Sequence, residues 1–166
     1  MRRVLVDLNV LLDVLLDREP HVAMSAAIWA AIEKRRLDGL LAAHGFTTIF
    51  YLVAKQRGRV AAREVVSDLL SVFGVAAVDE AVLRRAAALD LADFEDSVGA
   101  AAAEATACDA IVTRDPSGFR GSPVQALEPL LVLAALDAEI HEPAATYGKG
   151  RRRRRVGRAS AANRAG

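Results

Sequence analysis

The chain has 166 residues, 53% of them hydrophobic, and its mean hydropathy is +0.22. This length suits one domain of ordinary size with a tail, and this composition excludes an intrinsically disordered chain because enough apolar surface is present for a core. A single cysteine excludes both an intramolecular disulfide framework and a cysteine-based zinc site. We recognise no signal peptide and no run of 18 apolar residues, so we expect a cytoplasmic protein without membrane association.

The net charge of +1 conceals an asymmetry along the chain. Eight of the 22 Lys and Arg residues lie from Lys149 onward, where there is no acid. The first 148 residues therefore carry 14 basic residues against all 21 Asp and Glu residues, a balance of −7. Such a body is not expected to bind nucleic acid through bulk charge alone, but its charge suits acids gathered to hold a cation.

Short apolar runs alternate with segments of helical periodicity. In chain order they predict a strand at 2–6, helices at 8–16 and 20–34, a strand at 40–43, helices at 47–56 and 59–71, a strand at 74–78, helices at 79–90 and 93–106, strands at 109–113 and 124–127, and a helix at 128–135. His44-Gly45 is predicted to break the chain between the second strand and the helix after it. The pattern predicts a three-layer α/β domain, in which helices flank a short, mainly parallel central sheet.

The composition changes after about residue 138, where Pro, Gly, Ala and Arg become frequent. We therefore divide the chain into a folded domain, 1–138, and a basic tail, 139–166, which we expect to be disordered.

Three acidic residues are predicted to lie at one edge of the sheet. Asp7 follows the first strand, Asp115 follows the fourth, and Asp96 lies in the first turn of the sixth helix. Ligand sites form at this edge because the carboxyl ends of parallel strands meet there. Each acid alone is more often a helix cap or a turn residue, but together they favour a Mg²⁺ or Mn²⁺ ion, which binds oxygen ligands and can activate water to hydrolyse a phosphodiester. The neutral oxygens of Asn9 and Thr113 are expected to orient ligands, water or phosphate.

Three segments in a fixed order carry a resemblance to a known family. They are Val-Asp-Leu-Asn-Val-Leu-Leu-Asp at 6–13, Asp-Phe-Glu-Asp at 93–96, and Asp-Ala-Ile-Val-Thr-Arg-Asp at 109–115. Over about residues 2–133 the chain resembles PIN domains, and within them it is most similar to VapC-type toxin ribonucleases. The resemblance implies an endoribonuclease that uses Mg²⁺ or Mn²⁺, an RNA substrate, a homodimer, and a cognate antitoxin protein that buries or blocks the site.

The resemblance also assigns roles to individual residues. Asp7, Asp96 and Asp115 match the first, third and fourth acidic positions of the family, which implies that they are catalytic metal ligands. Asn9 matches the polar residue two positions beyond the first acid, and Thr113 matches the hydroxyl residue of the last motif.

The chain departs from the family pattern at the second acidic position. Thr48 lies where the family usually has a Glu on the helix after the second strand, and a hydroxyl is a weaker ligand than a carboxylate. Cation affinity is therefore expected to fall unless Glu95 or Asp93 compensates. Gly118 also stands where relatives often carry an acid. His44 has no partner pattern for zinc binding or general-base work, so we interpret it as a surface or cap residue.

Two other enzyme classes fit poorly, and one alternative stays open. A haloacid-dehalogenase-type phosphatase needs a second Asp two residues after the first, where this chain has Asn9. A Rossmann nucleotide binder needs a glycine-rich turn after the first strand, and Leu8-Asn9-Val10 contains no glycine. The open alternative is a catalytically weak or inactive PIN-fold module that binds RNA or protein, which Thr48 favours and the basic tail permits.

Overall fold

The computed structural model describes residues 3–141 of the chain. No helix in that part of the chain is both long and apolar enough to cross a membrane. Its elements, in chain order, are β1 Arg3–Val6, α1 Leu8–Leu15, α2 Val22–Glu33, β2 Asp38–Ala42, α3 Ala43–Arg57, α4 Arg59–Val72, β3 Gly74–Ala76, α5 Glu80–Ala87, α6 Phe94–Ala105, β4 Ala110–Val112, β5 Ala126–Leu127 and α7 Pro129–His141.

The five strands form one parallel sheet in the order β3-β2-β1-β4-β5. The central strand β1 pairs with β2 on one side and with β4 on the other, so that Leu5 lies beside both Leu40 and Ile111. The chain adds β2 and β3 in one direction and then returns to add β4 and β5 in the other. In open α/β sheets, ligands bind at the carboxyl ends of the strands where the order reverses, which here is between β1 and β4.

Helices cover both faces of the sheet and form two hydrophobic cores. Val4 and Val6 of β1 face a core shared with α1, α2, α3, α4 and α7, whereas Leu5 faces a core shared with α5 and α6. This alternation follows from the two-residue period of a strand. The result is the three-layer α/β domain that the sequence predicts.

The structure corrects the predicted start of α3. The helix begins at Ala43, directly after β2, so His44 and Gly45 lie in its first turn and do not break the chain. Glycine is a poor helix former, but Gly45 is buried, and a Cβ there would come within 3.0 Å of the Leu41 side chain. Close packing of α3 against β2 therefore explains a glycine that the sequence pattern presents as a breaker.

The last helix is longer than predicted. α7 continues to His141, so the first three residues of the predicted tail are helical. The remainder of that tail, 142–166, lies outside the described residues, and the predicted domain boundary remains a prediction. Strands β3 and β5 are shorter than predicted, ending at Ala76 and beginning at Ala126 respectively.

Candidate active site

Backbone pairing places the first acidic residue at the reversal point of the sheet. Asp7 follows β1 in extended conformation, and its amide donates to the carbonyl oxygen of Val112 at 2.9 Å. This bond extends the β1–β4 ladder by one residue, so Asp7 lies beside the end of β4. The same strand leads through Thr113 and Arg114 to Asp115.

Asp96, the predicted acid that follows no strand, comes from the face of the sheet that α5 and α6 cover. Asp96 lies in the first turn of α6, whose N-cap residue Asp93 accepts a 2.7 Å hydrogen bond from the amide of Glu95. Behind this turn, four consecutive alanines, Ala100–Ala103, are fully buried. These small side chains let α6 approach the sheet closely, which brings its first turn to the carboxyl ends of the strands.

Thr113 is the centre of the hydrogen-bond network at this edge. Its side chain is fully buried, and its hydroxyl donates to Asp7 Oδ2 at 2.6 Å. The same oxygen accepts from the amide of Asp115 at 3.1 Å and from Asn9 Nδ2 at 3.3 Å. Asn9 Oδ1 in turn accepts from the amide of Arg114 at 3.4 Å. Thr113 and Asn9 therefore contact Asp7 and the Asp115 loop directly, which is compatible with the prediction that they orient ligands, and their contact with water or phosphate stays a prediction.

Asp96 is the carboxylate with the most unfavourable electrostatic surroundings. Burial is the largest cause, and together with the negative charges of its neighbours it raises the pKa of Asp96 to about 6 from a model-compound value of 3.8. The acids that add to the effect are Asp7, Asp93, Glu95 and Asp115. Such mutual repulsion shows that the predicted acids share one neighbourhood.

The other two predicted acids have pKa values shifted in opposite directions. Burial raises the pKa of Asp7, and the hydrogen bond from the Thr113 hydroxyl partly opposes the rise. Asp115 is exposed, and the Ser117 hydroxyl that donates to it lowers its pKa. At neutral pH the exposed Asp115 is therefore ionised most readily, whereas Asp7 and Asp96 ionise at a cost that a nearby cation would offset.

The donor set fits a hard divalent cation. Among the described residues, no Lys or Arg side chain forms an ion pair with Asp7, Asp96 or Asp115. A Cβ added at Gly118 would meet Asp96 Oδ2 at 2.9 Å and Asp115 Oδ2 at 3.5 Å, so these two carboxylates border a cradle that a larger residue would fill. Clustered oxygen donors without a basic partner are the ligands of Mg²⁺ and Mn²⁺.

The carboxylates do not form a finished coordination sphere. In the part of the chain that the structure describes, no three His, Cys, Asp or Glu side chains lie close enough together to hold a metal ion. Binding of a cation at this edge would therefore have to draw the side chains closer together, and the attraction of each carboxylate to the cation would offset their mutual repulsion.

The three supporting residues expected from the sequence differ in their positions. Thr48 points its hydroxyl back along its own helix, 3.5 Å from the carbonyl oxygen of His44, and does not line the cleft at the acidic edge. Asp93 uses its carboxylate as the cap of α6. Glu95 lines the cleft together with Asp7 and Asp96, so of the two acids expected to compensate for Thr48, Glu95 is the better placed.

His44 is the residue that the sequence analysis missed. It lines the same cleft as Asp7 and Asp96 with its side chain 31% exposed, so it is a surface residue, as interpreted, that also borders the candidate site. His44 Nε2 lies 3.6 Å from Glu95 Oε1, and Nδ1 is buried without a hydrogen-bond partner among the described residues. The signal that could have found it is its position, two residues after β2, at the edge where Asp7 follows β1.

A buried ion pair supports the loop that carries Asp115. Asp13 of α1 is fully buried, and its Oδ2 accepts from the Ser25 hydroxyl at 3.0 Å. Arg114 Nε lies 3.2 Å from the same oxygen, close enough for an ion pair although the two groups are not aligned for a hydrogen bond. Arg114 thus ties the residue next to Asp115 to the core between α1 and α2.

Solved structures of several bacterial proteins share this fold. FitAcB from Neisseria gonorrhoeae is 21% identical, with a TM-score of 0.61 over 76% of this chain and 98% of that chain. DNA-bound VapBC from Salmonella typhimurium is 14% identical, with a TM-score of 0.60 over 78% and 99%. VapC20 of Mycobacterium tuberculosis, described as a toxin that cleaves the sarcin–ricin loop, is 14% identical, with a TM-score of 0.54 over 65% and 86%.

Sequence comparison identifies the family. No curated protein matches the chain. The sequence profile of the PIN domain matches residues 3–117, which is more than half of the chain and includes Asp7, Asp96 and Asp115. The structural neighbours include VapC proteins, as the resemblance of the three motifs implies. The chain belongs to the PIN-domain family.

Proposed function

We propose that this protein is an endoribonuclease that hydrolyses RNA phosphodiester bonds with Mg²⁺ or Mn²⁺, and that it is the toxin of a toxin–antitoxin pair. The observation that carries the proposal is the crowding of acids at the reversal point of the sheet. Their repulsion contributes to raising the pKa of Asp96 to about 6, and no basic side chain among the described residues pairs with Asp7, Asp96 or Asp115. A site with this charge is costly to maintain unless it binds a cation.

Each residue of the site has a defined part in this proposal. Asp7, Asp96 and Asp115 would hold the cation, and Glu95 would supply the carboxylate that Thr48 does not. When bound, a divalent cation supplies the positive charge that activates a water molecule and stabilises the leaving oxygen of the phosphodiester. The buried Thr113 hydroxyl keeps Asp7 and the start of the Asp115 loop in register.

The same charges govern how RNA approaches. Without a cation, the carboxylates would repel a phosphate group, so we expect RNA binding near the cleft to depend on prior cation binding. The choice of RNA over DNA as substrate comes from the family resemblance, and VapC20 is one neighbour described as cleaving an RNA loop.

The proposed partners follow from the neighbours. FitAB, VapBC and a Klebsiella pneumoniae protein of the same fold are described as toxin–antitoxin complexes or as DNA-bound assemblies. We propose a cognate antitoxin protein for this chain, a homodimer, and action on RNA in the cytoplasm.

Cleavage of a mixed structured RNA by purified protein tests the enzymatic proposal. We expect cleavage with Mg²⁺ or Mn²⁺ and none with EDTA. Asp7→Asn and Asp96→Asn should each lose more than the roughly 10- to 100-fold that removal of an outer-shell partner costs, because each removes a direct ligand. Asp68→Asn, which makes the same change at an exposed position on α4, is the matched control and should cleave normally. Metal-independent cleavage, or full activity of Asp7→Asn, would contradict the proposal.

Expression in a bacterial host tests the toxin role separately. The wild type and Asp68→Asn should both arrest growth, whereas Asp7→Asn should not. If all three proteins arrested growth at equal expression, growth arrest would not depend on the acidic site.

A PIN-fold binding module with little catalysis is the second candidate. It is favoured by the position of Thr48, which offers no ligand to the cleft, and by the lack of three converged metal donors in the described part of the chain. Such a module should bind RNA or a partner protein equally well with a divalent cation and with EDTA. The Asp7→Asn variant should bind with the same affinity as the wild type. The cleavage assay therefore decides between the two candidates when RNA binding is measured in parallel.

A further inference from the structure

α3 presents a histidine, not a carboxylate, to the acidic cleft. His44 and Thr48 lie four residues apart and so share one face of the helix, but only His44 lines the cleft. We propose that the imidazole of His44 is a ligand of the divalent cation and that it makes this site prefer Mn²⁺ over Mg²⁺. This inference rests on the proposed function, because it assigns a further ligand to the cation of the same site.

The geometry around His44 leaves room for a cation. His44 Nε2 and Glu95 Oε1 are 3.6 Å apart, which is too far for a hydrogen bond between them. A metal ion with bonds of about 2.0–2.2 Å joins donor atoms separated by about 3–4 Å, so the observed distance suits two ligands of one ion. The other ligands of that ion would come from Asp7 and Asp96, which line the same cleft and would have to move closer, because no three such donors among the described residues are converged on one point.

Neither imidazole nitrogen makes a hydrogen bond among the described residues, although Nε2 lies within ion-pair distance of Glu95. Nδ1 is buried, and Nε2 is 3.6 Å from Glu95 Oε1. A buried polar atom without a partner is uncommon in folded proteins. Nε2 is the nitrogen that faces Glu95, so it is the atom that we assign to the metal ion, whereas the unpartnered Nδ1 lies on the other side of the ring.

Imidazole nitrogen changes the choice of metal. Mg²⁺ is a hard ion that takes oxygen ligands and keeps several waters, whereas transition-metal ions bind nitrogen ligands more readily. A site of carboxylates alone would discriminate weakly between Mg²⁺ and Mn²⁺. Adding an imidazole to the carboxylates, including that of Glu95, should therefore strengthen Mn²⁺ binding more than Mg²⁺ binding.

Mn²⁺ binding to the full-length protein, followed by electron paramagnetic resonance, tests the inference without measuring activity. Pulsed spectra of bound Mn²⁺ should show ¹⁴N modulation from a directly bound nitrogen in the wild type and not in His44→Ala. The Mn²⁺ dissociation constant should rise about 10-fold in His44→Ala, while that of Mg²⁺, obtained by competition, should change less than about threefold. His21→Ala is the matched control, because His21 is exposed and lines a different cleft, beside Met24.

The possible results separate this inference from the proposed function. Absence of ¹⁴N modulation in the wild type overturns the inference without any variant, so a folding defect of His44→Ala cannot obscure it. A rise in Mn²⁺ affinity in His44→Ala also overturns it, because it would show that His44 is a protonated partner of Glu95 that competes with the metal. If Asp7→Asn loses Mn²⁺ binding and His44→Ala keeps it, the proposed site stands and only the assignment of His44 as a ligand is overturned. A wild type that binds no Mn²⁺ overturns both.

Discussion

Thr113 is the residue on which the arrangement of the acids depends most directly. Thr113→Val keeps the shape of the side chain but removes the hydroxyl that donates to Asp7 and accepts from the amide of Asp115. We expect cation affinity and cleavage to fall about 10- to 100-fold, as for other partners that orient metal ligands. The free energy of unfolding should fall by about 1–2 kcal/mol, because Asp7 and the partly buried amide of Asp115 each lose a hydrogen bond.

The serine variant provides the control for Thr113→Val. Thr113→Ser restores the hydroxyl and loses only a methyl group, so it should recover most of the Mn²⁺ affinity measured by titration. If valine and serine behaved alike in both affinity and cleavage rate, the hydroxyl would have no part in positioning the acids.

Asp96 makes a pH-dependent contribution to stability. Its pKa in the folded protein, about 6, lies above its ordinary value of 3.8, so the folded state binds a proton more tightly than the unfolded chain. The resulting stabilisation is complete below about pH 4 and is lost as the pH rises through about 6. Because Asp96 is only partly buried, solvent screening limits the effect to about 1 kcal/mol.

Urea unfolding in EDTA measures this contribution. Between pH 4.5 and pH 7.5 the wild type should lose about 1 kcal/mol more free energy of unfolding than Asp96→Asn, in which position 96 cannot ionise. Asp7, whose pKa is also raised, titrates in both proteins, so the difference between them reports Asp96 together with its repulsion from Asp7. Equal pH dependence of the two proteins would show that Asp96 does not experience the repulsion assigned to it.

The sequence predicts the acidic residues of the site more readily than their neutral neighbours. Asp7 and Asp115 could be placed because each follows a strand, and Asp96 because it opens a helix, so topology alone brings them to one edge. His44 could not be placed, because its role depends on α3 starting directly at the end of β2. The direction of the Thr48 hydroxyl could not be predicted either, because it depends on a hydrogen bond to the carbonyl oxygen of His44 in the same helix.

At the scale of elements, α1 and α2 determine where the loop after β4 lies. Asp13 is inside the core, and its charge is balanced by Arg114 next to Asp115. Asp13→Ala removes one partner of this buried pair and leaves the Arg114 guanidinium without compensation, so we expect a loss of about 3 kcal/mol in the free energy of unfolding. Ser25→Ala, which removes only one hydrogen bond to Asp13, should cost about 1 kcal/mol.

Chemical denaturation of the two variants distinguishes the ion pair from simple packing. Asp13→Ala should also weaken Mn²⁺ binding, because the loop that carries Asp115 loses its anchor, whereas Ser25→Ala should bind Mn²⁺ normally. An Asp13→Ala protein as stable as the wild type would mean that Arg114 finds an equally good partner in solvent.

The order of elements is predictable because their periodicities differ clearly. β1 and β4 are short and wholly apolar in their buried parts, as strands covered on both faces must be. The end of α3 is also predictable, because Gly58 adopts a φ of 88° that favours glycine over other residues. The starts of helices are harder to predict: α3 begins without a side-chain cap, so no capping residue marks its first turn.

At the scale of the whole molecule, charge is divided between the body and the C-terminal segment. The acids of the first 148 residues outnumber the basic residues there by 7, and the mutually repelling acids of the proposed site belong to that charge. RNA must therefore approach a body that repels it. The run Arg151–Arg155 lies outside the described residues, and it carries five of the eight positive charges found from Lys149 onward.

We expect this arginine run to contribute to RNA binding and not to the chemical step. Replacing all five arginines by glutamine keeps the length of the chain and removes five charges. At low salt KM should rise about 10-fold or more while kcat stays the same, because phosphate contacts supply affinity without touching the reacting atoms. The dependence of log KM on log salt concentration should also become shallower, by at most about 3.5 for five contacts to single-stranded RNA. Parallel salt dependences for the two proteins would mean that the run makes no phosphate contacts and that the body, despite its negative balance, binds RNA through cation-mediated contacts at the cleft.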